Sequence, residues 1–126
     1  MSAVSHSLWH AIAVGIESVS HWLNYQEAAD LLGVSKGKVA RLVEDKQLFS
    51  VRIQKEPMIP AEIIVGGEPL ASIRGTLIVL EDAGFNSEQA AEWLYEFQEE
   101  LDETPMQSLV RGRKSAVRRL AQSLAI

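Results

Sequence analysis

The sequence predicts a mainly α-helical chain with one small β-ribbon, on three observations. Apolar residues recur at helical spacing through most of the 126 residues. Alternation of the β kind is confined to one stretch near residues 48–60. Between these, Gly33-Val34 separates two short amphipathic segments so closely that they must pack as a pair.

Leu8, Ile12, Ile16, Val19 and Leu23 fall on one helical face, so residues 1–23 read as an N-terminal helical segment. Asn24 followed by Glu27 is a capping-box start, in which the Asn side chain accepts an orphan amide and the Glu reaches back. Ala28, Leu31 and Leu32 give the buried stripe of the helix that follows, and Gly33 stops it. A second helix runs over Ser35–Lys46, with Val39, Leu42 and Val43 inward. Leu48–Ile53 and Pro57–Pro60 then predict a two-stranded ribbon with Lys55 near its tip and Pro57 at an edge. Two helices across a Gly-containing turn, followed by a ribbon, make a winged helix-turn-helix over 24–65.

Gly66-Gly67-Glu68-Pro69 reads as a linker to a C-terminal helical domain, 70–126. Ile73–Asp82 is apolar on most sides and ends at Gly84, a central buried helix. Asn86 or Ser87 caps the next helix, whose face is Ala90, Leu94, Phe97 and Leu101, widened by Trp93. Thr104-Pro105 starts another helix, which Gly112 breaks. Val117, Leu120, Ala121 and Leu124 stripe the last one. Trp9, Trp22 and Trp93 sit on apolar stripes, where packing is the default role.

Composition narrows the function. With no cysteine, a thiolate nucleophile and a Cys-ligated metal site are excluded. His6 and His10 share a helical spacing but lack a third ligand, and no phosphate loop or nucleophile elbow occurs. The expectation is a non-enzyme without cofactor or metal. No apolar run approaches the roughly 20 residues that cross a bilayer, and no basic n-region precedes Leu8–Ile16. A cytoplasmic protein, at the nucleoid and off the membrane, is therefore expected.

The formal net charge of -5 hides a three-block pattern. Residues 34–55 carry a balance of +4, residues 81–103 carry -9, and residues 111–126 carry +5. The first block coincides with the second helix and the ribbon. Ser35, Lys36, Gly37, Lys38 and Arg41 occupy the helix start, where such helices meet base edges and phosphates. Arg41 offers the bidentate fork that suits guanine, and Arg52 and Lys55 on the wing add backbone or minor-groove contacts. These seven residues are the expected DNA-binding set. The last block, Arg111 to Arg119, either extends that footprint or neutralises the acidic helices, and its adjacency to them favours the second use.

The Tyr25–Ser35 run, with Glu27-Ala28-Ala29 and Leu31-Leu32-Gly33-Val34-Ser35, resembles the excisionase/MerR-like winged helix-turn-helix superfamily, as does the later Ile59-Pro60. Trp22-Leu23, Arg74–Leu80, Asp82–Phe85, Ala91–Leu94, Thr104-Pro105 and Arg118–Gln122 look more narrowly like an actinobacterial family of small winged-helix DNA-binding proteins. That family includes a mycobacterial Ser/Thr-kinase substrate. The likeness runs from about Trp22 to Ile126 and implies a winged helix, a helical C-terminal domain and duplex DNA as ligand. It also implies a Ser/Thr protein kinase as a partner. Residues 1–21 lie outside the likeness and offer Ser2, Ser5 and Ser7 but no threonine; phosphate there would weaken DNA binding by adding negative charge. The Thr104-Pro105, Leu109 and Gly112-Arg113 arrangement is also similar to helical toxin-binding domains of antitoxins. This second resemblance implies an alternative function, a protein-interaction module docking a partner through 70–126.

Overall fold

The computed structural model describes residues 21–124. The stripe Leu8, Ile12, Ile16 and Val19, the His6/His10 pair, Trp9 and the N-terminal serines lie outside the described residues.

Trp22–Leu23 form strand β1, followed by helix α1 at Tyr25–Leu32. Asn24 Oδ1 accepts the Glu27 amide at 2.8 Å while Glu27 Oε1 accepts the Asn24 amide at 2.8 Å, which is the reciprocal cap its spacing predicts. Gly33 ends the helix in the left-handed region at φ 70, where a β-carbon would be strained. Helix α2 follows at Lys36–Glu44. Ala28 and Ala29, both sealed, leave room for α2 to bring Val39 and Leu42 against them. Lys46 at φ 66 then turns the chain, so α2 stops two residues before the expected end.

The ribbon is β2 at Val51–Ile53 and β3 at Glu56–Pro60, in antiparallel register Val51 to Met58 and Ile53 to Glu56. Leu48 and Phe49, expected in the first strand, instead form the buried entry to it. Leu23, expected on a helical face, pairs with Ile59 as β1 adds to the sheet in the order β1-β3-β2. This makes β3 the middle strand. Pro57 is still tolerated, because β1 reaches only Ile59 and Pro60 and leaves Pro57 opposite Arg52 alone.

Gly66-Gly67, expected in an open linker, make the tip of a second hairpin. Strand β4 (Ile64–Val65) pairs with β5 (Glu68–Pro69), and both glycines take positive φ. Helices α3 (Ser72–Asp82), α4 (Ser87–Leu94), α5 (Pro105–Val110) and α6 (Lys114–Gln122) complete the chain. Asn86 and Thr104 cap α4 and α5 with reciprocal boxes to Gln89 and Gln107, and α6 lies along α3.

A further expected helix is shorter than its periodicity. Helix α4 ends at Leu94, so Phe97 is 61% exposed and Leu101 reaches the core from a turn. Gln98 bridges to Glu103, and Asp102 takes φ 60 between them. The acids at 99, 100, 102 and 103 therefore sit in a tight turn rather than at a helix end.

Both halves share one apolar cluster, from Leu23, Val39 and Ile59 to Ile73, Leu94 and Val117. At the seam Tyr95 stands between Trp22 and Phe49, with ring centroids 6.5 and 6.4 Å away. Its hydroxyl donates to Glu62 Oε2 at 2.8 Å. Burial, reinforced by that carboxylate, pushes the Tyr95 phenol far above its usual range. Burial likewise raises Glu62, against the stabilising hydrogen bond from Tyr95. Trp93 is buried in the same cluster.

Candidate nucleic-acid interface

Ser35 sits before the first residue of α2 in extended backbone, φ -81 and ψ 162, and its Oγ accepts the Lys38 amide at 3.1 Å. That cap satisfies one of the orphan amides at the helix start and leaves others pointing outward. Lys36, Gly37, Lys38 and Arg41 are all exposed. At about 100° per residue, Gly37 and Arg41 lie opposite the buried Val39 and Leu42, with Lys36 and Lys38 on the two flanks. A β-carbon at Gly37 would meet only Ser35 Oγ, at 3.8 Å, so the fold itself does not require glycine there. Glycine in a helix is less favourable than alanine by about 1 kcal/mol, and what it provides is a bare backbone on the outward face.

The wing presents Arg52 and Lys55 differently. Gln54 and Lys55 form the two-residue turn between β2 and β3, and both have positive φ, 54 and 71. Neither residue type favours that region. Arg52 Nη1 donates to the Lys55 carbonyl at 2.7 Å and so braces the tip. Arg52 thus has a structural bond as well as free N–H groups, whereas the Lys55 ammonium has no carboxylate within 4 Å among the described residues. Lys36, Lys38, Arg41 and Arg52 have none either. The residues expected from sequence thus occupy two exposed places, the first two turns of α2 and the wing.

Three residues near this surface take roles that the sequence did not assign them. Glu44 is exposed and shares the outward face of α2 with Gly37 and Arg41, so it limits favourable potential to the helix start. Arg74, at the start of α3, donates through Nε to the Asp45 carbonyl at 3.2 Å, just beyond the end of α2. No spacing rule connects residues 29 apart, so only the packed halves reveal it. Lys46 pairs with the exposed Glu81 at 3.5 Å.

The C-terminal basic block divides. Glu103 is buried and accepts from Ser108 Oγ, from Arg111 Nη1 at 2.9 Å and from Arg113 Nη1 at 2.9 Å. The Ser108 hydrogen bond, then the two guanidinium charges, hold its carboxyl below the usual carboxylate range against the opposing effect of burial. Arg111 and Arg113 therefore neutralise one residue of the acidic block. Lys114, Arg118 and Arg119 have no such partner among the described residues.

Two family models match the chain. Residues 16–64 match the model described as the wHTH domain of DNA-binding protein Rv2175c. Residues 70–125 match the model described as the Rv2175c C-terminal domain of unknown function. The NMR structure of Rv2175c is similar to this one with a TM-score of 0.76 and 25% sequence identity, covering 84% of this chain and 82% of that chain. Among curated proteins nothing matches. Two domain models in the expected order, and a solved structure with the same architecture, establish that this chain belongs to the Rv2175c family of winged-helix DNA-binding proteins.

Proposed function

We propose that the protein is a duplex-DNA-binding transcriptional regulator or nucleoid-associated factor whose helix α2 enters the major groove. The carrying observation is the capped, exposed start of α2, where Lys36, Lys38 and Arg41 surround Gly37 with no ion-paired carboxylate among the described residues. In this reading Lys36 and Lys38 contact phosphates, and the uncapped amides at the helix start add to them. Arg41 reads guanine from the outward face, where a planar fork can make two hydrogen bonds. Gly37 lets the backbone lie close to the duplex. Lys55, held out by the braced turn, reaches the neighbouring backbone, and Arg52 contributes its remaining N–H groups.

Fluorescence anisotropy on mixed-sequence and own-promoter duplexes across a salt series tests this reading. Affinity should fall steeply with salt, by orders of magnitude if several phosphates are engaged. Lys36→Ala/Arg41→Ala should weaken binding about tenfold or more and flatten the slope by about one contact for the lysine. Preference for the promoter identifies a regulator, and equal binding identifies a general nucleoid factor. Absence of binding at low salt would exclude the DNA reading and favour a partner-docking role for residues 70–126.

A further inference from the structure

We propose that the helical half carries a second phosphate-binding patch, formed by Arg74 and Arg118 with Lys114 beside them, which extends the duplex contact past the end of α2. The proposal rests on the DNA-binding reading above and gives the C-terminal half a share in it.

The patch begins where α2 stops. Arg74 reaches the Asp45 carbonyl, so a cation from the first turn of α3 stands at the far end of the recognition helix. The next residue, Gly75, is where α6 crosses. A β-carbon at Gly75 would come within 2.6 Å of Arg118 Cζ, so the glycine is what lets that guanidinium approach the α3 backbone. Lys114 precedes Arg118 by one turn and projects from the same side of α6. The three cations thus follow one another from the end of α2, across the start of α3, to α6.

Glu44 and Asp45 are exposed at the adjoining end of α2, but no carboxylate of the described residues forms an ion pair with these three cations. The first turn of α3 holds no acid, and neither Arg74 nor Arg118 has a carboxylate within 4 Å. Arg118 Nε is buried and makes no hydrogen bond, and the buried Ser72 Oγ in the same turn of α3 also lacks a partner. The buried Nε cannot itself reach a duplex, so the outer N–H groups of the half-buried Arg118, with those of Arg74 at the neighbouring position of α3, are the donors offered to an anion with several acceptor oxygens. The contrast with Arg111 and Arg113, whose donors are spent on Glu103, separates the two kinds of arginine in one basic block. The DNA backbone is the polyanion already expected along α2. A groove-bound helix has a phosphate strand on either side, so a cation at its far end faces the same duplex.

The test is the salt dependence of duplex binding by full-length wild type, Arg74→Gln and Arg74→Gln/Arg118→Gln, with folding checked by thermal unfolding. The log–log slope should fall by about one for the single variant and about two for the double. The loss should be equal on mixed-sequence and promoter duplexes, because phosphate contacts carry no sequence information. Arg74 is exposed, so its single variant remains informative if loss of Arg118 disturbs the α3–α6 packing. Unchanged slopes in folded variants, with Lys36→Ala/Arg41→Ala still impaired, would overturn this patch and leave the α2 reading intact. Salt-insensitive or absent binding by wild type would remove both.

Discussion

The cations at the start of α2 and those following α5 belong to the same residue types, yet their surroundings assign them opposite roles. Around Lys36, Lys38 and Arg41 the nearest feature is solvent, and no carboxylate is within 4 Å among the described residues. Arg111 and Arg113 converge on Glu103, a carboxylate only 8% exposed, and fasten the 98–103 turn to the start of α6. A cation with a buried partner is part of the fold, and a cation without one is available to a ligand. Net charge or charge runs alone cannot separate these cases, because both blocks read simply as basic.

The comparison breaks first at Glu103. Glu103→Ala should destabilise the protein by about 2 kcal/mol, below the 3–5 of a fully buried pair because Arg111 and Arg113 remain 68% and 41% exposed to water. Its affinity for duplex DNA should not fall. The stabilisation has a defined pH window. Since the folded carboxyl titrates below its unfolded value, the contribution is complete above the ordinary carboxylate range and disappears as pH falls through the lowered folded value. Thermal unfolding of wild type and Glu103→Gln from pH 7 into the acid range should therefore show curves that converge at low pH. A gap that persists there would mean that Glu103 contributes through packing alone.

The reciprocal experiment compares Arg41→Ala with Arg113→Ala. The first should weaken DNA binding by about 1–3 kcal/mol without moving the unfolding midpoint, as expected for loss of a base contact. The second should lower the midpoint while leaving base preference unchanged. If Arg113→Ala shifted base preference as Arg41→Ala does, the division between fold-bound and ligand-bound cations would fail.

Two smaller effects sharpen the contrast. Replacing Gln54-Lys55 by Asn-Gly relieves two positive-φ residues and should stabilise the wing by about 1 kcal/mol, read by chemical denaturation. Affinity should fall slightly with the Lys55 charge, so the variant separates the tip's strain from its function. Gly37→Ala should stabilise α2 by about 0.5–1 kcal/mol, because the added methyl meets only Ser35 Oγ. The same methyl should reduce DNA affinity. Unchanged affinity would show that the backbone at residue 37 does not approach the duplex.

Most helix starts are legible in the sequence, because capping is a local bond between residues three apart. Asn24 with Glu27 formed as its spacing predicts, and Ser35 and Thr104, expected at helix starts, are caps that accept the Lys38 and Gln107 amides. Helix ends were less readable. Phe97 and Leu101 keep a helical spacing beyond Leu94, yet the chain leaves the helix there to form the Gln98–Glu103 bridge. Periodicity reports which residues prefer burial and not which backbone path brings them to the core. Leu23 shows the same ambiguity, since a buried strand residue and a buried helix residue look alike in one apolar position.

By itself the sequence determined the helical class and the helix-turn-helix with its wing, since each depends on neighbours a few positions apart; the seven contact residues are its proposal. Tertiary structure alone decided which cations are free. Arg111 and Arg113 are consumed by Glu103, Lys46 is paired with Glu81, Arg74 is bonded to the Asp45 carbonyl just past α2, and Arg118 lies against Gly75 of α3. The reason is physical: hydrogen-bonded caps act over one turn, whereas neutralisation of a charge depends on whatever the fold places within about 4 Å of it.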